Sequence, residues 1–290
     1  MRDDLARASA RCIRMLPRAG LTEAIGWLSE RPIPLPLRAP MLGGLARAFG
    51  IDMEEAERPA RAYSTFQQLF CRRLSAGART CDASEDAVVS PVDGRVLEWG
   101  TVSREAVFEV KGRRYSALTL LGGEGALAER FLGGSFCILY LSPRDYHRMH
   151  SPVSGQVIGY RWLCGEYWPV NGLVPFLPDV YCENERVVTL IRAFGGLVAM
   201  VKIAALGVGY ISLAYLGEEA GVRLAPGGRP RARDFDPSEA PAVRCGEEIA
   251  AFGLGSTVVL LFEPGGVRLT LPPGGSQVRV GMPMGEQVPR

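Results

Sequence analysis

The sequence is short of histidine, with two in 290 residues, and its net charge is only +2. So small an imbalance gives no case for a nucleic-acid partner. The seven cysteines (Cys12, Cys71, Cys81, Cys137, Cys164, Cys182 and Cys245) are odd in number and never spaced Cys-x-x-Cys. That usage fits a reducing compartment in which most act as small buried hydrophobes. With so few histidines it also argues against a metal site, and none is expected. No continuous apolar run follows a charged stub at the N-terminus, so no signal peptide is expected. One stretch, residues 197–216, is apolar over about the length of a bilayer. Lys202 interrupts it, Gly207 and Gly209 punctuate it, and it is rich in β-branched residues. It therefore reads as about two buried strands and not as a membrane helix.

What is present suits one large domain with an appended segment: 47% of residues are hydrophobic and 22% charged. The first fifty residues carry Arg2, Arg7, Arg11, Arg14, Arg18, Arg31, Arg38 and Arg47 against Asp3, Asp4, Glu23 and Glu30. A basic, partly apolar leader of this kind suits an anionic membrane surface. Residues 1–75 are expected to be helical. Leu5, Ala8, Cys12, Ile13 and Leu16 share one face, Thr22 can cap a second helix, and the prolines at 32, 34, 36 and 40 break it before Met41, Leu42, Leu45 and Phe49. Such helices could cap the domain or rest on a membrane, and the two are compatible.

Residues 76–290 form the second unit, and from residue 88 short β-rich runs alternate with Gly and Pro. The run Ser90-Pro91-Val92-Asp93-Gly94-Arg95-Val96 is echoed by Ser151-Pro152-Val153-Ser154-Gly155-Gln156-Val157. Pro opens a turn, Gly relaxes it, and the valines enter paired strands. The expected fold is α+β with a mainly β core: a small barrel or sandwich with lipoyl-like hairpins behind N-terminal amphipathic helices. Carrier domains present a lysine at such a turn, whereas Asp93 or Ser154 stands here, which disfavours a carrier.

Three features can carry chemistry. Both histidines lie in Asp145-Tyr146-His147-Arg148-Met149-His150, after an apolar run and a Ser142-Pro143 turn, where side chains converge. Gly253-Leu254-Gly255-Ser256-Thr257 puts a serine behind a glycine with no Cβ to crowd attack on the preceding carbonyl. Taken alone it reads better as a plain Gly-rich turn into a strand, and it lacks the second glycine of a nucleophile elbow. Asp93 is a turn former that could instead orient a histidine.

Taken together and in order, these motifs resemble phosphatidylserine decarboxylases of the bacterial and mitochondrial type. The match also includes residues 66–74, Pro169-Val170-Asn171, Asn184-Glu185-Arg186-Val187-Val188 and Leu254-Gly255-Ser256-Thr257. The resemblance implies a triad of Asp93, His150 and Ser256 that cleaves the chain between Gly255 and Ser256. Ser256 is then converted to a covalent pyruvoyl group. That group forms a Schiff base with phosphatidylserine and releases carbon dioxide to give phosphatidylethanolamine. It implies His147 for decarboxylation, with Asp145, Leu254 and Thr257 supporting; it does not identify the phosphate-binding residues, for which Arg148 or backbone amides are candidates. Expected partners are phosphatidylserine in an anionic membrane and the chain's own two fragments; a homodimer is left open. The expected location is the cytoplasmic face of the bacterial inner membrane, peripherally. Competing readings are a serine hydrolase with the same triad, a non-enzymatic carrier or lipid-binding module, and a pyruvoyl decarboxylase of a soluble amino acid.

Overall fold

The computed structural model describes residues 2–81, 84, 86–103, 105, 107–110, 113–207, 211–217, 230–253 and 256–288. Gly209, Leu254 and Gly255, singled out above, lie outside them. Helices α1 (Arg2–Met15), α2 (Arg18–Ser29), α3 (Leu35–Phe49) and α4 (Phe66–Phe70) come first, as the apolar spacing predicts. Two local expectations fail. Thr22 lies inside α2, buried, where its Oγ1 accepts the Gly207 N–H at 3.1 Å and so docks the helix rather than capping it. Of the prolines, Pro36 sits in the first turn of α3, where no partner is lost, and Pro40 is carried within that helix. Nor are most cysteines buried: Cys137 and Cys182 are, while Cys12 and Cys81 are exposed.

The remaining chain is mainly sheet. Strands β1 (Ala87–Val89) and β2 (Gly94–Thr101) precede the hairpin β3 (Val107–Val110) and β4 (Arg113–Ser116). Short helices α5 (Ala117–Leu120) and α6 (Gly125–Glu129) lead to β5 (Ser135–Leu141), β6 (Arg148–His150) and β7 (Gly155–Leu163). Helix α7 (Val180–Glu183) precedes β8 (Arg186–Ala193) and β9 (Gly196–Ile203). Then come β10 (Ile211–Leu213), β11 (Arg231–Asp234), β12 (Ala242–Val243), β13 (Glu248–Phe252) and β14 (Ser256–Phe262). β15 (Val267–Leu269), β16 (Gln277–Val278) and β17 (Pro283–Gln287) finish the fold.

The largest sheet is antiparallel, in the order β11-β7-β8-β9-β14-β5-β2-β16 with β12 also on β7. Residues 197–216 accordingly become β9, β10 and a short 3-10 turn. No helix among the described residues is long and apolar enough to cross a membrane. The expected small barrel is not built: the strand path has two separate ends, at β16 and at β11 with β12. At each end the two-residue strand β12 or β16 is followed by a positive-φ glycine, Gly246 or Gly281. The chain there leaves the large sheet for a three-stranded one, β10-β13-β6 or β1-β17-β15.

That symmetry is general. The echoed runs adopt the same turn: Ser90 Oγ donates to Val92 O at 2.7 Å and Ser151 Oγ to Val153 O at 2.6 Å. A Cβ on Gly94 would stand 2.4 Å from Tyr140 O, and one on Gly155 would stand 2.3 Å from Arg192 O, so both turns require glycine. Val89 N–H donates to Pro152 O and His150 N–H to Pro91 O, so each turn grips the other reciprocally. Gln277 and Val278 pair with Arg95 and Gly94 just as Ala242 and Val243 pair with Gln156 and Gly155. Both β2 and β7 bulge at equivalent places, after Val96 and after Val157. The fold is thus an internal duplication, with strands β6–β10, β12 and β13 forming one copy. That copy is inserted between β5 and β14 of the other.

Lys202 on β9 is fully buried among these strands, its Nζ donating to Thr189 Oγ1 at 2.5 Å and to Met200 O at 3.2 Å. Burial alone pulls its amine from 10.5 down to about 7. Between those values the unfolded chain binds a proton that the folded chain does not, so this residue makes stability rise with pH across that window. In the uncut Ser256→Ala chain, Lys202→Met should therefore raise unfolding free energy at pH 7 by about 1–3 kcal/mol. Denaturant melts at pH 8 and 10 should also show a smaller pH-dependent gain in the variant. Identical pH slopes in the two chains would contradict the burial assignment.

Candidate active site

Strand β13 runs beside the strand that carries His150, and Ser256 opens the strand that follows. β13 pairs with β6, which carries His150, and the Phe252 N–H donates to His147 O at 3.0 Å. Ser256 then opens β14, opposite Leu141 at the end of β5, from which the Ser142–Asp145 turn leads straight to His147. Asp145 builds that turn, since its Oδ2 accepts both the Ser142 N–H and Oγ–H at 2.7 Å.

The two histidine rings are held by backbone carbonyls. His147 is fully buried, its Nδ1 lies 2.8 Å from Asp145 O, and its Nε2 has no partner among the described residues. Burial holds its imidazole down to about 3, against the raising effect of that carbonyl. It is therefore neutral, with its proton on Nδ1 and a free lone pair on Nε2. The Phe70 ring packs 4.1 Å from it, centroid to centroid. His150 Nδ1 lies 2.8 Å from Gly246 O, which places the proton there, and its Nε2 accepts from Tyr146 Oη at 3.2 Å. Burial lowers its pKa too, opposed by the Gly246 carbonyl, Glu248 and Asp93. A neutral imidazole with a basic Nε2 is the form a general base needs.

Asp93 does not hydrogen-bond His150, because both ring nitrogens are engaged elsewhere. Its carboxylate is gripped by Arg79, at 3.0 Å from Nε and 2.5 Å from Nη2, and by the Val280 N–H at 2.8 Å. Arg79 also binds Glu55, which in turn binds Arg279. Asp93 thus reaches His150 through its charge and not through a shared proton. Ser256 is fully buried and its Oγ has no partner among the described residues, nor has Thr257 Oγ1. A buried hydroxyl left unpaired costs about 1–3 kcal/mol, which marks both as places where the fold keeps a polar atom unbound. Leu254 and Gly255 fall outside the described residues.

Sequence reasoning missed Gly246, Tyr146 as a histidine partner, and residues 70–72. The Cys71 thiol, which burial pushes up to about 12, stays protonated and donates to Phe252 O at 2.9 Å. Arg148 Nη1 is bound to Glu248 at 2.5 Å and its Nε to Cys71 O at 2.8 Å. A cavity of about 270 Å³ opens beside these groups, lined by Arg72, Arg79, Asp93, Arg144, Asp145 and Tyr146 among others. It shares Gly94, Arg144, Asp145 and Gln277 with a larger cleft of about 890 Å³ that runs past Phe49, Tyr140, Val170 and Asn171.

Comparison with known proteins bears on what this arrangement does. The family model described as phosphatidylserine decarboxylase matches residues 66–286. A phosphatidylserine decarboxylase proenzyme of Anaeromyxobacter sp. (strain K) is 42% identical over 277 residues, 94% of this chain and 96% of that one. Proteins of the same name from Myxococcus xanthus and Bordetella petrii are 40% and 39% identical, over 87% and 85% of this chain and 88% and 84% of their own.

The Tyr146 hydroxyl occupies the lone pair that His150 would offer to Ser256. Tyr146→Phe should therefore speed cleavage before Ser256 by about fivefold, the worth of one ordinary hydrogen bond of about 1 kcal/mol. Fragment appearance on denaturing gels after rapid synthesis measures it. A slowed cleavage would instead make the hydroxyl part of the proton path.

Proposed function

The chain belongs to the phosphatidylserine decarboxylase family and is a self-processing carboxy-lyase, and we propose that its pyruvoyl group is made from Ser256 with His150 as base. The observation that carries this assignment is the Ser256 hydroxyl at the head of β14, buried and without a partner among the described residues. It suits a residue that serves as nucleophile and is then consumed.

The proposed sequence balances within the chain. His150 Nε2 takes the Ser256 hydroxyl proton, and Oγ bonds to the carbonyl carbon of Gly255. The amide C–N bond breaks as that proton passes to the nitrogen, leaving an ester. Loss of the Ser256 α-proton expels the Gly255 carboxylate and leaves dehydroalanine, and water then replaces its nitrogen as ammonia. The residues fit this product, since the hydroxyl being removed is one that none of the described residues holds. The pyruvoyl carbonyl supplies an acceptor for the substrate amine and for the electron pair left by departing carbon dioxide. Around it, His147 offers a neutral Nε2 that can hold or return a proton at the α-carbon. Asp145 fixes the turn and the tautomer of that ring. Asp93 adds negative charge that favours the imidazolium of His150 during attack.

The hydrolase and carrier readings predict an intact chain. The two Ser-Pro-Val turns are the parts closest to carrier hairpins, and they carry Asp93 and Ser154 in place of a lysine. Denaturing mass spectrometry of the wild type should show two fragments, and Ser256→Ala should show one species near 31.4 kDa. His150→Ala should also remain whole. His147→Ala should cleave yet lose decarboxylation by at least a hundredfold. An uncut, active wild type would end the reading.

The substrate is lipid, and a seat on the cytoplasmic face of the bacterial inner membrane is our reading of the N-terminal helices. Nine of the twelve exposed large hydrophobic residues among the described ones fall between Met15 and Phe49, including Trp27 and Leu28, each more than half exposed. Among the described side chains of α1 only Ala10 is buried, and of the predicted apolar face Cys12 and, just past the helix, Leu16 are exposed. Together with the arginines interleaved among them, these residues support peripheral binding to anionic lipid. The double variant Trp27→Glu, Leu28→Glu should lose at least tenfold in co-sedimentation with anionic vesicles while still cleaving itself. Unchanged sedimentation would move the membrane contact elsewhere.

A further inference from the structure

We infer that Arg72 is the subsite for the phosphodiester of the lipid headgroup. This rests on the function proposed above and on one further step, that the headgroup enters the cavity lined by Asp93, Asp145 and Tyr146. Three consecutive residues at the end of α4 address that site in turn. Phe70 packs on the His147 ring, Cys71 Sγ holds the Phe252 carbonyl, and Arg72 extends into the cavity. Arg72 is 3% exposed, yet its Nε and Nη1 have no hydrogen-bond partner among the described residues. Nη2 reaches only the Arg144 carbonyl, at 3.5 Å. A guanidinium taken out of water without an anion is costly, and fork geometry suits it to phosphate oxygens.

The other arginines near the cavity are engaged. Arg79 is tied to Asp93 and Glu55, Arg279 to Glu55, and Arg144 lies 3.7 Å from Asp145. Asp52 and Asp93 act on Arg72 through charge, but neither forms an ion pair with it; Asp52 instead accepts the Glu54 N–H. Arg148, the side chain the sequence suggested for the phosphate, is already bound to Glu248 and Cys71 O.

The substrate headgroup carries two anions, and the chemistry separates them. The carboxylate loses its charge as carbon dioxide leaves. A strong cation on it would stabilise the ground state more than the transition state and slow the reaction. The neutral His147 beside the Phe70 ring is the better neighbour for that group. The phosphodiester keeps its charge throughout, so binding it to Arg72 costs nothing at the transition state.

The test uses purified, fully cleaved enzyme, with its fragments and carbonyl content confirmed by mass spectrometry in each variant. Glycerophosphoethanolamine and phosphate-free ethanolamine serve as competitive inhibitors. In Arg72→Gln the inhibition constant of glycerophosphoethanolamine should rise about 10- to 100-fold, the range of a charged hydrogen bond. That of ethanolamine should not change. Arg72→Lys should recover part of the difference, and KM for short-chain phosphatidylserine should rise more than kcat falls. Equal weakening of both inhibitors, a loss confined to kcat, or failure of both variants to cleave would overturn the assignment and make Arg72 a structural cation. Variants that match an active wild type would sink this inference alone. A wild type with neither carbonyl nor carbon dioxide release would sink the parent reading with it.

Discussion

Strand β14 is held on both edges, by β5 and by β9, and all seven of its residues are buried. Everything in the proposed maturation depends on this. A chain cut immediately before Ser256 leaves its new end in the middle of the largest sheet, where the ladder on either side does not involve the broken bond. Val258, Val259, Leu260, Leu261 and Phe262 each contribute about 1.5–3 kcal/mol by burial, independent of that bond. Met284 and Val278 of the same fragment are buried as well. The fold can therefore lose a peptide bond there and keep its shape.

The duplication gives the proposed break a structural context. Thr257 pairs with Tyr140, which pairs with Arg95; Leu197 pairs with Arg192, which pairs with Gln156. By this register Thr257 matches Leu197 and Ser256 matches Gly196. In the inserted copy those positions open β9, directly after the two-residue turn of the β8–β9 hairpin. In the host copy the insertion takes the place of that hairpin turn, and the proposed cleavage point is where the inserted chain rejoins its host. The bond proposed to break thus falls at a connection between units and not within one. Asp93 and Ser154 occupy equivalent turn tips, as do His150 and Val89 the adjacent strand ends. One turn pair has acquired chemistry while its mate has remained structural.

Much of this was legible in the sequence. The Ser-Pro-Val echo announced paired turns, the Lys202 interruption argued for strands, and the histidine pair drew attention to β6. What stayed hidden depends on long-range contacts that local pattern does not encode. The barrel expectation failed because strand order, and so closure, is set by the pairing of β16 with β2 and β12 with β7. Thr22 resembled a cap because its partner, the Gly207 N–H, lies 185 residues away. Arg72 looked like one basic residue of an early helix, since nothing local reveals that two of its nitrogens are buried without partners.

The carbonyl partners of the histidines were hidden for a related reason: a backbone oxygen has no letter. A triad drawn from side chains alone assigns the imidazole proton to Asp93, but in the fold that proton belongs to Gly246 O. The difference has a physical consequence. A carboxylate hydrogen-bonded to Nδ1 would raise the basicity of His150, whereas a neutral carbonyl fixes the tautomer with a smaller effect on its pKa. Burial then dominates, and the ring stays neutral and ready to accept a proton. Asp93, neutralised in part by Arg79, supplies a fainter field at longer range. Such a base suits a reaction that the fold needs only once, where orientation against a buried hydroxyl counts for more than turnover.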